Sequence, residues 1–192
     1  PSLFSDGMVL QRDTLVTVLG KYVPNQKIDI SCSWGFDTTT FSDANGNWKI
    51  HLKTNSASKS QTMTLTSKND NHKINDILLG EVWIAAGQSN MEMTFDYCCN
   101  TTDSSESEVL SANFPNIRMY NVKKVLSIEP LDDTDGKWVS AIEENIIDFS
   151  AAGYFFAKNL HKELDVPIGI IHASWGSSNI ESWTSKEVLI TL

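Results

Sequence analysis

The sequence is short of cysteine, short of positive charge and without a long apolar run. Three cysteines, Cys32, Cys98 and Cys99, are too few for a disulfide framework and have no metal-ligand spacing. Cys98 and Cys99 are neighbours, so at most one bridge, from either to Cys32, is open to the chain. Only 15 Lys and Arg stand against 24 Asp and Glu, giving a formal charge of −9 and a pI near 4.8. Such an acidic surface repels polyanions, which excludes nucleic acid as a partner and argues against anionic membranes. The longest apolar stretch, Ile77 to Gly87, is broken by Glu81 and falls far short of the ~20 residues that span a bilayer, so no membrane insertion is expected. The first residue is Pro1, with no initiator Met and no charged-then-apolar leader, as expected of a processed or excised chain. The sequon Asn100-Thr101-Thr102 would matter only in a eukaryotic secretory pathway.

What is present is an ordinary globular composition. Of 192 residues, 41% are hydrophobic and 20% charged. At about 150 residues per domain this allows one or two domains, and a chain of this size buries roughly 70% of its unfolded surface. The first 75 residues read as all-β. Leu15–Leu19, Lys27–Ser31, Trp48–Leu52 and Thr62–Thr66 are short β-rich runs, the last three alternating apolar with polar. Turn chemistry separates them at Val23-Pro24-Asn25, Asp43–Asn47 and Asn69-Asp70-Asn71, with Asn45-Gly46 a hairpin signal. Such even spacing predicts a small β-sandwich over residues 1–75.

The pattern changes near Asn75. Ile77-Leu78-Leu79 leads into the continuous apolar run Val82–Ala86, which predicts a strand covered on both faces, as in a parallel sheet. Asp96–Ser111 is polar and acidic, a surface loop or short exposed helix, and Leu126–Gly136 is a second acidic loop. Ile117–Val122 and Ile168–Ala173 read as further strands. Ser150–Leu164 reads as a helix capped by Ser150, with Ala152, Phe155, Phe156, Leu160 and Leu164 on one face. Strand, loop, helix and strand in this order make a βαβ unit, so residues 76–192 are expected to form an α/β domain with a parallel sheet.

Active sites of open α/β sheets gather at the carboxyl ends of strands. Two such ends are rich in polar groups. Gly87-Gln88-Ser89-Asn90-Met91 follows the Val82 strand, where a glycine turn would project the Ser89 hydroxyl above the sheet. The fifth position is Met91, so this is not the Gly-x-Ser-x-Gly elbow, and a serine that only caps a helix fits the same pattern. The second end is Ser174-Trp175-Gly176-Ser177-Ser178-Asn179, followed by Ile180-Glu181-Ser182-Trp183. Gly176 could offer an unhindered N–H there; a plain connecting loop with Trp175 and Trp183 as core is the competing reading.

Taken together, several stretches resemble the sialate O-acetylesterase family. They are Leu3–Arg12, Gly80-Glu81-Val82-Trp83-Ile84, Gly87–Met93, Gly153-Tyr154-Phe155-Phe156-Ala157, and Ser174-Trp175-Gly176 through Ile180–Trp183. The resemblance implies an N-terminal β-sandwich domain followed by a partial flavodoxin-like, three-layer α/β domain of the serine SGNH-hydrolase type. It implies an enzyme that removes O-acetyl groups from sugars, sialic acids foremost, and works outside the cytoplasm (periplasm, secreted or lysosome-like). By motif position Ser89 is the expected nucleophile, and the N–H groups of Ser89 and Gly176 the expected oxyanion hole. Gln88, Asn90, Asn179 and Glu181 are expected to give loop support or substrate contact. The chain departs from the family's Trp-Gly-Gly-Thr in having Ser177 at the second glycine.

A serine nucleophile needs a base. In this family the catalytic His and its Asp partner lie near the C-terminal end of the α/β domain, and only three core strands, at Val82, Ile117 and Ile168, are visible where the fold has five. The chain is therefore expected to be the first portion of a longer enzyme, with the remainder of that chain its partner. Within the chain His172 is the one candidate base, set against burial in its strand; His51, His72 and His161 read as solvated or structural. No metal and no cofactor are expected. The competing functions are a carbohydrate-binding accessory protein and a truncation that is unstable alone.

Overall fold

Period-two burial drives the first elements. The computed structural model describes residues 1–68, 70–98 and 105–191; Asn69, Cys99, the Asn100 sequon and the start of the acidic stretch at Asp103 lie outside them. The chain forms β1 (Val9–Gln11), β2 (Leu15–Lys21), β3 (Lys27–Cys32), β4 (Phe36–Phe41), β5 (Asn47–Lys53), β6 (Ser58–Ser67) and β7 (Asp70–Gly87) before its first helix. In β3, Ile28, Ile30 and Cys32 are buried while Lys27, Asp29 and Ser31 face water. β2 and β5 pair as an antiparallel two-stranded sheet. Its Val18, Ile50 and Leu52 meet Ile28, Ile30 and Met63 of the larger sheet in one core.

Helices and strands follow in mixed order: α1 (Ser89–Glu92), α2 (Phe95–Cys98), α3 (Ser105–Ser111), β8 (Asn113–Asn121), β9 (Trp138–Ile142), α4 (Glu143–Ile146), α5 (Ala151–Leu164), β10 (Ile168–Ser174), a 3-10 turn (Ile180–Trp183) and α6 (Lys186–Leu189). Among the described residues the larger sheet has eight strands in the order β4-β3-β6-β7-β10-β8-β9, with β1 beside β7. β10 runs parallel to both β7 and β8, with Ser174 opposite Gly87. A second core of Phe95, Ile117, Met119, Tyr154, Ile168 and Ile170 lies beneath α5. The result is mixed α/β, with one large sheet and few helices. No helix among the described residues is long and apolar enough to cross a membrane.

The change of pattern near Asn75 has a backbone counterpart. Asp76 sits in the left-handed region at φ 54, and its carboxylate meets the Arg118 guanidinium at 2.7 Å. β7 pairs antiparallel with β6 from Asp70 to Leu79, with register shifts on either side of Gln61; from Leu78 it pairs parallel with β1, and from Glu81 with β10. Residues near the start of the chain clamp this second half. The Arg12 Nε donates to Glu81 at 2.7 Å, Gln11 Nε2 donates to the same carboxylate at 3.0 Å, and the Val82 N–H donates to Gln11 Oε1 at 2.8 Å. These bonds hold the Glu81 carboxyl below its ordinary pKa, Gln11 contributing most and Arg12 next.

Three expectations need correction. Val82–Ala86 is not covered on both faces: Trp83 is 45% and Ile84 69% exposed, and β10 alone pairs with Glu81–Gly87 among the described residues. α5 buries Gly153, Tyr154 and Ala157 rather than the predicted Phe155, Phe156 and Leu164. Small residues let the helix approach β7, a Cβ on Gly153 being 3.4 Å from that of Ala85, while Phe156 stands edge-on to Trp83 at 5.3 Å. The Asn45-Gly46 turn forms, with the Asn45 and Asn47 N–H groups donating to Asp43, but it joins strands of different sheets rather than a hairpin. Strands β1, β4 and β9 had no sequence signal strong enough to separate them from loop.

Candidate active site

β7 ends where its backbone turns sharply. Gly87 lies at φ 153, a conformation that side chains rarely adopt, and it throws the chain from strand to helix within one residue. Gln88 takes the cap position of α1, its carbonyl accepting from the Met91 and Glu92 N–H groups at 3.0 and 2.9 Å. Ser89 is thus the first helical residue, not the cap, and it is exposed at the carboxyl end of the strand. Ser89, Asn90, Glu92, Met93 and Thr94 line an open cleft of about 500 Å3.

The loop after β10 closes over the same point. The Trp175 N–H donates to the Gly87 carbonyl at 3.0 Å, and the Gln88 amide donates to the Ser178 carbonyl. A Cβ on Gly176 would lie 3.7 Å from both Cα and Cβ of Ser89, so the two expected oxyanion residues are neighbours. Ser177 adopts φ 62, a left-handed conformation that the family's glycine would hold without strain. Asn179 and Glu181 sit further along, exposed at the cap and within the 3-10 turn, on the loop that Trp183 steadies through its Nε1–H to Ser178 Oγ at 2.7 Å. Trp183 is 42% exposed, so it is not core.

The Gly176 N–H is not open. It donates to Glu92 Oε2, whose other oxygen pairs with the Lys124 ammonium. A Cβ on Gly176 would stand 2.6 Å from the same Glu92 oxygen. Glu92 and Lys124 were not singled out from the sequence. Glu92 belongs to the Gly87–Met93 motif, and Lys124 follows the end of β8, so the strand-end rule could have found both.

His172 is buried within β10. Its Nδ1 meets Asn121 Oδ1 at 2.8 Å, its Nε2 meets Ser174 Oγ, and its ring lies edge-on to Phe149 at 5.4 Å. Burial, then the Lys124 charge, lower its pKa. With both ring nitrogens engaged it is structural, not a base for Ser89. His161 Nδ1 is bonded to the Val166 carbonyl at 2.6 Å, and His51 Nδ1 to Thr17 at 3.0 Å. Among the described residues no three His, Cys, Asp or Glu side chains group so as to hold a metal ion.

The chain matches no family model. It is 28% identical to mouse sialate O-acetylesterase, over 98% of its own length and 38% of that protein's. With human sialate O-acetylesterase it shares 32% identity over 66% of its length and 25% of the relative's. A carbohydrate acetylesterase from Xanthomonas citri superposes with a TM-score of 0.91 at 36% identity, covering 98% of this chain and 42% of that one. The chain belongs to the sialate O-acetylesterase family. It spans about two fifths of the length of the Xanthomonas relative, at 42%, and 38% of the mouse one. The strand-end motifs at Ser89 and Gly176, 87 residues apart in sequence, are brought side by side by the pairing of β7 with β10.

Proposed function

We propose that this chain carries the nucleophile and oxyanion hole of a serine carbohydrate O-acetylesterase. The observation behind the reading is Ser89, exposed on the first turn after β7, with Gly176 against it. In this mechanism Ser89 Oγ attacks the acetyl carbonyl, and the N–H groups of Ser89 and Gly176 receive the oxyanion. The tetrahedral intermediate collapses, the sugar oxygen leaves with a proton, and water then hydrolyses the acetyl-serine to acetate. The base that takes the serine proton is supplied from outside residues 1–192: His51, His161 and His172 are bonded within the fold, and His72 lies exposed in the half of β7 that pairs with β6, at the other end of that strand from Ser89.

O-acetylated sugars are the proposed substrates, sialic acids first, on the strength of what the curated relatives are named for. Residues 1–75 are read as a β-sandwich-like domain and 76–192 as the first part of a flavodoxin-like hydrolase domain. Gln88, Asn90, Asn179 and Glu181 shape the loops around the sugar. The working location is outside the cytoplasm, and the remaining partner is the rest of a longer parent chain.

The test compares acetate release from 4-nitrophenyl acetate and from O-acetylated sialic acid by two proteins. One is the 192-residue chain, and the other joins it to the portion of the Xanthomonas enzyme outside the match. The joined protein is expected to be active and its Ser89→Ala variant inactive with unchanged circular dichroism. Activity that survives Ser89→Ala refutes the nucleophile. Serine-dependent turnover by the 192-residue chain alone would refute an external base.

A further inference from the structure

Glu92 places a carboxylate oxygen on the Gly176 N–H, at the position that the oxyanion reading reserves for the reacting oxygen. That carboxylate is not accidental decoration of the cleft. It lies on the same short helix as Ser89, its second oxygen is held by Lys124, and only a glycine at 176 leaves it room. Its side chain is 29% exposed, so the ion pair stands half out of water and keeps appreciable strength. Resting on the reading of Gly176 as an oxyanion donor, we propose that Glu92 is a positioning residue that serves as an internal placeholder anion. It fills the oxyanion site of the free protein, keeps the Gly176 N–H aimed at the cleft, and yields that N–H when a substrate oxyanion or product acetate arrives.

The exchange is anion for anion at one N–H, and Lys124 retains the displaced carboxylate, so no charge is left buried and unpaired. The arrangement also accounts for a glycine at 176, since any Cβ there would drive the carboxylate off the N–H. A placeholder lowers apparent affinity for anions because the incoming ligand must displace it.

Glycine-selective nitrogen-15 labelling tests this without turnover, since the chain has only ten glycines to resolve. The Gly176 amide signal is followed by NMR while acetate is added to wild type, Glu92→Gln and Glu92→Ala. Before acetate, Gly176 alone is expected to move strongly in Glu92→Ala, the other glycines reporting an intact fold. Acetate is then expected to half-saturate the Gly176 shift at a concentration roughly ten-fold or more lower in Glu92→Ala than in wild type, the gain from removing one charge-assisted competitor. Glu92→Gln, which keeps shape and a neutral acceptor, should fall between them and serves as the variant of record should Glu92→Ala fail to fold. Equal half-saturation in all three overturns the placeholder while leaving the oxyanion reading standing. A Gly176 signal that moves on mutation yet never responds to acetate overturns both, because Gly176 is then no anion site.

Discussion

Ser150→Ala probes the joint that ties the site to the body of the fold. Ser150 is fully buried, and its Oγ accepts the Gly153 N–H at 3.0 Å as the cap of α5. Its backbone forms the bridge to Thr94, and the next residue's N–H donates to the Met93 carbonyl at 2.9 Å, directly beyond α1. Removing the hydroxyl leaves a buried N–H without its acceptor. Loss of a serine cap costs about 1 kcal/mol, and leaving a buried donor unsatisfied moves the figure to about 2 kcal/mol. For a chain of this size 1 kcal/mol shifts Tm by roughly 2–4 °C, so Ser150→Ala is expected to melt about 4–8 °C lower. Differential scanning calorimetry of wild type, Ser150→Ala and a control at the exposed Ser56, Ser56→Ala, makes the measurement. The control should lie within about 0.5 kcal/mol of wild type. A Ser150→Ala midpoint indistinguishable from the control would refute the capping argument.

Two further outcomes are expected. His172 is buried and its pKa is lowered, so as pH falls the unfolded chain takes up the proton first. Its contribution to stability is complete above about pH 6.5, the ordinary histidine value, and is lost as pH falls below it. The drop in urea midpoint between pH 7.5 and 5.5 should therefore shrink in His172→Gln, and an unchanged drop would count against burial as the cause. Cys32 is a free thiol buried in the first core, and burial pushes its pKa up to about 12. In a Cys98→Ser/Cys99→Ser protein an aromatic disulfide reagent at pH 8 should modify Cys32 only as fast as the chain unfolds; rapid modification of the native protein would contradict the packing.

The sequence by itself determined the local features. The Asp43–Asn47 turn and the Ser150 cap rest on contacts between residues close in the chain, the alternation in Lys27–Cys32 is written directly in its letters, and all three stand in the structure. The strand-glycine-serine pattern at Gly87–Ser89 was legible for the same reason, since a strand end and a helix start need only local backbone geometry. What depends on residues far apart was not. The face that α5 buries followed the close approach that Gly153 permits to Ala85 of β7, against the simple apolar stripe. The partial exposure of Trp83 and Ile84 depends on what packs over the faces of β7, which a run of apolar letters cannot report. His172 was a candidate base by proximity in sequence, and only the tertiary contacts with Asn121 and Ser174 commit it to the interior. The carboxylate of Glu92 on the N–H of Gly176 belongs to the same class. Parallel pairing of β7 with β10 joins two loops 84 residues apart, and hydrogen bonding between such loops is decided by the sheet rather than by either motif.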